Sequence, residues 1–179
     1  MSATNNPSTA AKEIEYKYLI ERPDIDTLTS MDGCRQITII QFYLTSSPGE
    51  ERRVRQLEES SNRTFVKTTK RKTGERATRL EEEEVISFAE YTKLIQQEAD
   101  PDCQPVIKTR YRIPQPNGLT LEIDIYPSNE KYAILEIEVP NNETKVDIPE
   151  PIVVVRDVTS DSRFKNRQIA KNGGKLPED

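Results

Sequence analysis

Several short stretches of this 179-residue chain carry charged residues spaced two apart. Glu13, Glu15 and Lys17 come first, and Arg53 and Arg55 follow. Next are Arg79, Glu81 and Glu83, then Lys108, Arg110 and Arg112, then Glu122 and Asp124, and last Glu136 and Glu138. A spacing of two places side chains on one face of a β-strand. Two carboxylates so placed lie ~7 Å apart along the strand, and they repel unless a cation or a facing basic strand intervenes. Converging pairs of this kind suit a hard divalent cation, which takes oxygen ligands. Adjacent arginine and lysine pairs suit phosphate oxygens, arginine through two parallel hydrogen bonds. A solvated sheet face laced with salt bridges is the simpler account of any one strand. The sorting of acids and bases onto different strands favours a site. If the strands close with this face inward, the result is a polar tunnel.

The elements that would position these residues are mostly strands. Alternating or β-branched stretches run over Glu13 to Ile20, Gln36 to Leu44, Arg52 to Leu57, Arg63 to Thr69 and Ala77 to Ile86. Later ones cover Val106 to Ile113, Leu119 to Tyr126 and Ala133 to Val139. Turn signals such as Ser46-Ser47-Pro48-Gly49 and Pro116-Asn117-Gly118 separate them. Opposite the charges lie Ile14, Tyr16 and Tyr18, Ile123 and Ile125, and Ile137 and Val139.

Helical signals are fewer. Ser87 and Glu90 form a capping box opening a helix to about Ala99, with Phe88, Tyr91, Leu94 and Ile95 on one stripe. A short helix is expected around Asp24 to Ser30, and another from Arg163 to Asn172, stopped by Gly173-Gly174. Glu143 to Pro149 gives no clear signal. The fold class expected is α+β: an eight-stranded antiparallel barrel with a polar interior and a few helices packed outside. The division expected is a disordered lead over residues 1–11, one domain over 12–172, and a frayed tail over 173–179.

Composition narrows the chemistry. The chain has no histidine, which excludes His-based triads, His proton shuttles and His-containing zinc sites. Its only cysteines, Cys34 and Cys103, can supply neither a disulfide framework nor a four-ligand zinc site. They fit a reducing compartment. A net charge of -5 argues against a generic nucleic-acid or anionic-membrane binder. No apolar run approaches the ~20 residues of a membrane span, and the start lacks a signal-peptide apolar region. A cytoplasmic protein, monomeric or homodimeric, is expected.

Glu13-Ile-Glu-Tyr-Lys17 resembles the E-x-E-x-K signature near the start of the CYTH proteins, or triphosphate tunnel metalloenzymes. The later blocks stand in the family's order: Arg53-x-Arg55, Lys67-Thr-Thr-Lys70, Arg79-x-Glu81-x-Glu83, Lys108-x-Arg110, Glu122-x-Asp124, Glu136-x-Glu138 and Asp161-Ser-Arg-Phe-Lys-Asn166. The resemblance runs from about Glu13 to Ala170. Compact length and block spacing look most like the short inorganic triphosphatases. The fold it implies is an eight-stranded tunnel with a C-terminal helix at its end. Phe164 departs from the tyrosine of many members. The run Glu81 to Glu84 leaves Glu82 and Glu84 as alternatives to Glu81 and Glu83 by spacing, and Lys67 is the alternative to Lys70.

The resemblance implies a metal-dependent triphosphatase acting on inorganic tripolyphosphate and, as a side activity, on nucleoside triphosphates. Glu13, Glu15 and Glu136 would hold Mg²⁺ or Mn²⁺, and Asp124 and Glu138 a second ion. Arg53, Arg55, Lys70, Lys108, Arg110 and Arg163 would cradle the substrate. Glu83, Glu122, Asp124 and Glu138 would orient the attacking water, and Lys17 would contact the terminal phosphate or assist the nucleophile. A metal-acidified water makes a histidine base unnecessary. Class IV adenylyl cyclase and thiamine triphosphatase are the enzymatic alternatives. The first lacks a recognisable adenine pocket here, and the second lacks its tryptophan, since the chain has none. A non-catalytic polyphosphate- or nucleotide-binding module and a purely structural barrel are the alternatives of other classes.

Overall fold

A computed structural model describes residues 14–72, 79–141 and 143–177. The expected lead and Glu13 lie outside the described residues, as do Ala77 and Thr78. The chain is α+β. Nine antiparallel strands form one sheet: β1 (Ile14–Glu21), β2 (Arg35–Leu44), β3 (Glu50–Glu59), β4 (Asn62–Lys72), β5 (Arg79–Ile86), β6 (Val106–Pro114), β7 (Thr120–Ile125), β8 (Tyr132–Val139) and β9 (Val154–Asp157). Their order is β5-β4-β3-β2-β6-β7-β8-β1-β9.

This corrects the expected closed barrel of eight strands. Among the described residues β5 and β9 are the two edges of the sheet, and no ladder joins them. The reason lies at β1. One side of β1 pairs with β8, from Ile14↔Val139 to Glu21↔Tyr132, and β9 takes the other through Leu19↔Arg156 and Ile20↔Val154. β9 escaped the sequence analysis because Val153-Val154-Val155 does not alternate and follows two prolines closely.

Strand parity separates two faces. On the outer face, Ile123, Leu135, Ile137 and Tyr111 pack with Leu28 of helix α1 (Ile25–Ser30), and with Val146, Ile148 and Ile152 of the segment that gave no sequence signal. Asp24 caps α1 by accepting from the Thr27 amide. Further along the same face, helix α2 (Phe88–Glu98) sets Tyr91, Leu94 and Ile95 against Leu44, Val54 and Ile86. Ser87 accepts from the Glu90 amide at 3.1 Å, as the capping-box spacing requires. With the apolar residues and both helices on this side, the charged positions are left to the inner face.

One end of the inner face is stopped by apolar groups. Leu19, Tyr43, Tyr126 and Ile134 meet Phe164, Ile169 and Ala170 there. The helix expected from Arg163 to Asn172 is instead a 3-10 turn at Ser162–Phe164 followed by helix α3 (Asn166–Lys171). Lys165, extended at φ -70 and ψ 136, breaks the two apart and lets Phe164 turn inward. Gly174, at φ +74, brings its backbone against β6: a Cβ there would lie 2.6 Å from the Pro105 carbonyl oxygen. The segment beyond, expected to fray, places Leu176 in the same cluster at 4% exposure.

Leu176→Ala is therefore expected to cost about 2–4 kcal/mol, as for other buried leucines. Urea unfolding measures it, and no loss of stability would mean that the tail is not part of the core.

Candidate active site

The inner face divides at β2 into two clusters of charge. On β1, β6, β7 and β8 the acids predominate, and Glu122, Asp124 and Glu136 are each held by a base on a neighbouring strand. Arg110 stands at the centre. Its Nε and Nη2 donate to the two oxygens of Asp124, both at 2.7 Å, and Nη2 also reaches Glu136 at 2.5 Å. A further nitrogen, Nη1, contacts Glu122. Lys108 contacts Asp124 and donates to Asn166 Oδ1 at 3.3 Å, tying this cluster to α3. Lys17 meets Glu136 at 2.7 Å and Glu15 at 3.3 Å, and donates to the Phe164 carbonyl at 3.3 Å. Arg112 pairs with Glu122 at 2.9 Å.

These partners follow from the register. Arg110 lies across from Asp124, Arg112 from Glu122, and Lys17 from Glu136. Two like-charged pairs also face each other, Glu122 with Glu136 and Glu15 with Glu138. Such pairs are unfavourable without cations between them.

On β3, β4 and β5 the inner positions carry Arg53, Arg55 and Lys70 beside Glu51, Glu81 and Glu83. Arg55 donates to Glu83 at 2.5 Å and to Thr68 Oγ1 at 3.4 Å. Lys70 pairs with Glu81 at 2.7 Å, and Arg53 with the same carboxylate at 3.7 Å. The register Lys70↔Glu81 and Thr68↔Glu83 places Glu81, Glu83 and Lys70 on the face of Arg53 and Arg55. Lys67, paired with Glu84 at 3.0 Å, lies on the other face. Among the buried donors on the inner face, Nε of Arg53, Nε of Arg55 and Nε2 of Gln41 have no acceptor.

Proton affinities reflect this packing. Burial opposes ionisation of Glu136, but Arg110, Lys108 and Lys17 outweigh it and hold its carboxyl well below the usual carboxylate range. Burial pulls Arg110 down, but Asp124, Glu136 and Glu122 raise it well above the ordinary arginine value. Lys108 is lowered by complete burial, against the pull of Asp124. Glu15 is raised by burial and by Glu136, against Lys17. Arg55 is lowered by burial and by Arg53, with Arg110 adding to the effect from the other cluster. The two clusters are thus near enough to feel each other.

No protein-family model matches the chain, and no curated protein matches it in sequence. Similarity appears in solved structures. The crystal structure of the inorganic triphosphatase NE1496 is 25% identical, with TM-score 0.58, over 93% of this chain and 97% of its own. The chain thus resembles this CYTH-like inorganic triphosphatase in both fold and sequence. The PH1819 protein of Pyrococcus horikoshii OT3 has TM-score 0.52 at 20% identity, over 73% of this chain and 80% of its own. A Pyrococcus furiosus protein has TM-score 0.52 at 18% identity over the same shares. These two show the shared fold.

Within the chain the structure gathers Glu15, Lys17, Lys108, Arg110, Glu122, Asp124 and Glu136 in one cluster and Arg53, Arg55, Lys70 and Glu83 in the other. Glu138 lies across from Glu15 at the edge of the first. Arg163 stands apart: its side chain is 54% exposed and forked onto Asp161 at 2.7 Å. Glu13 lies outside the described residues. No three carboxylates among the described residues are gathered as a ready metal site. The donor type is nonetheless right, since hard oxygens facing one another across strands suit Mg²⁺ or Mn²⁺.

Sequence analysis missed Gln41, Tyr43, Thr68, Arg156 and Asn166. Parity held a signal for the first two, which alternate with Ile40 and Phe42 on β2. Asn166 becomes visible only when α3 docks against Lys108.

Arg110→Ala should cost about 3–5 kcal/mol, because it strands buried carboxylates. Asp124→Asn in the same chain should cost less than its effect alone adds, which denaturant unfolding of the double-mutant cycle measures. Strict additivity would show that the two do not form one network.

Proposed function

We propose that the chain is a metal-dependent triphosphatase that hydrolyses inorganic tripolyphosphate. The observation that carries this is the inner face itself, where two arginines with unmet guanidinium donors share one sheet face with a cluster rich in carboxylates. The 25% identity to an inorganic triphosphatase along nearly the whole of both chains supports it. We further propose that the sheet curls until the inner face surrounds the substrate as a tunnel, closed at one end by Phe164 and α3.

In this reading the ion pairs of the free protein are exchanged on binding. Arg53, Arg55 and Lys70 leave Glu81 and Glu83 for phosphate oxygens, which accept from guanidinium in the same fork geometry. Lys17, anchored by the Phe164 carbonyl, and Lys108 and Arg110 hold the other end of the substrate and stabilise charge on the leaving group. Asp124, with 0% exposure, is bound to Lys108 and Arg110 and positions them. Glu15, Glu136 and Glu138 are the residues that would hold Mg²⁺ or Mn²⁺, with Glu13 adding to them. When bound, such ions supply neutralisation of phosphate oxygens and an acidified water. Glu83 and Glu122, released from Arg55 and Arg110, would orient the attacking water. Burial and Glu136 raise the proton affinity of Glu15, and a cation bound beside it would oppose that rise.

Incubation with Mg²⁺ or Mn²⁺ and tripolyphosphate, ATP or thiamine triphosphate should release phosphate fastest from tripolyphosphate, with no cyclic AMP. Glu15→Gln should remove turnover while leaving the unfolding curve unchanged. No phosphate from any of the three would overturn the reading, and cyclic AMP from ATP would replace it with a cyclase.

A further inference from the structure

Gln41 occupies the middle of the inner face. It lies on β2, which joins the carboxylate-rich half of the sheet to the half carrying Arg53 and Arg55. The register sets it across from Arg55 on one side and from Val106 on the other. It is 2% exposed, yet its carboxamide nitrogen has no acceptor. A buried donor left unpaired is a larger cost than an apolar side chain of the same shape. Leucine or methionine would fill this position without that cost, and the neighbouring inner position of β2 is Ile39. An amide here stabilises nothing visible in the free protein.

Two other buried donors in the same condition lie beside it. The Nε of Arg55 is on the residue directly across, and the Nε of Arg53 is two residues further along β3, still on the inner face. Three N–H groups without acceptors, on adjacent positions of two paired strands, are complementary to an oxyanion. Resting on the reading of the face as a polyphosphate site, we propose that Gln41 is a further substrate-binding residue, donating from its carboxamide to a phosphate oxygen that Arg55 also holds.

The neutrality of the amide has a physical use. Arg53 already weakens the hold of Arg55 on its proton. A third cation between them and Lys108 would add to that repulsion in the free protein. A carboxamide adds a directed hydrogen bond without changing the charge. The consequence is a trade between stability and binding: the group that serves the ligand burdens the empty protein.

The test compares Gln41→Leu and Gln41→Glu with the wild type. Isothermal calorimetry with tripolyphosphate and Mg²⁺ gives affinity, and thermal unfolding without ligand gives Tm. Gln41→Leu should raise the Tm by about 2–4 °C while weakening tripolyphosphate binding about tenfold. Gln41→Glu, which can pair with Arg55, should keep its fold and bind more weakly still. A lowered Tm, or a failure to fold, in Gln41→Leu would show that the amide already has a partner and overturn the proposal. So would unchanged affinity in both variants while the wild type binds. A wild type that binds no tripolyphosphate would overturn the functional reading, and with it the role of Gln41.

Discussion

A charge taken out of water must find an opposite charge or a dense set of hydrogen bonds, and most of this structure is arranged around that requirement. Asp124 and Glu136 are buried, and each is met by bases from adjacent strands. Because Arg110 serves both, and Glu122 as well, one guanidinium holds β6, β7 and β8 in register from the inside. The outer face does the ordinary work of a core, with isoleucines and leucines under α1 and α2. The inner face gains little from hydrophobic burial except at its plugged end. Its order comes from electrostatics, which fix partners by geometry more sharply than apolar packing does.

The same constraint explains why the clusters are unequal. Near β1 and β8, carboxylates on neighbouring strands face each other across the ladder, as Glu15 does Glu138. Near β3, guanidinium groups stand side by side. Neither arrangement is the least costly way to neutralise a sheet face, which would alternate signs from strand to strand. The ligand proposed above, anionic phosphate with its cations, would complete both halves. The free protein tolerates the segregation through substitute pairs such as Arg55 with Glu83.

Much of this was legible in the residues. Alternation with period two needs no knowledge of neighbours, so Lys17, Arg53, Arg55, Arg110 and Glu136 could be put on one face from local spacing alone. What spacing could not give is anything that depends on which strand lies beside which. The run from Glu81 to Glu84 is degenerate by itself, and only the pairing with Lys70 and Thr68 separates its two parities. β9 is four residues, Val-Val-Arg-Asp, with no alternation to mark it, and acquires meaning only from the free edge of β1. Arg163 follows its family motif in sequence, yet the local Asx turn at Asp161 captures it at the surface. Gln41 escaped notice because the residue across from it, Arg55, comes from another strand.

Gly174 carries a consequence far from the charges. With backbone against backbone at Pro105, the chain there has no clearance for even a methyl group. Its amide also binds back to the Ile169 carbonyl, so the end of α3 and the start of β6 are clamped as one piece. Phe164 and Asn166 rest on that piece, and Lys17 and Lys108 rest on them. Thickening at this one glycine would lift the floor of the inner face away from the strands. The depth of that face, and so the length of anion that the proposed site would admit, can be adjusted from outside it with every charged side chain left in place.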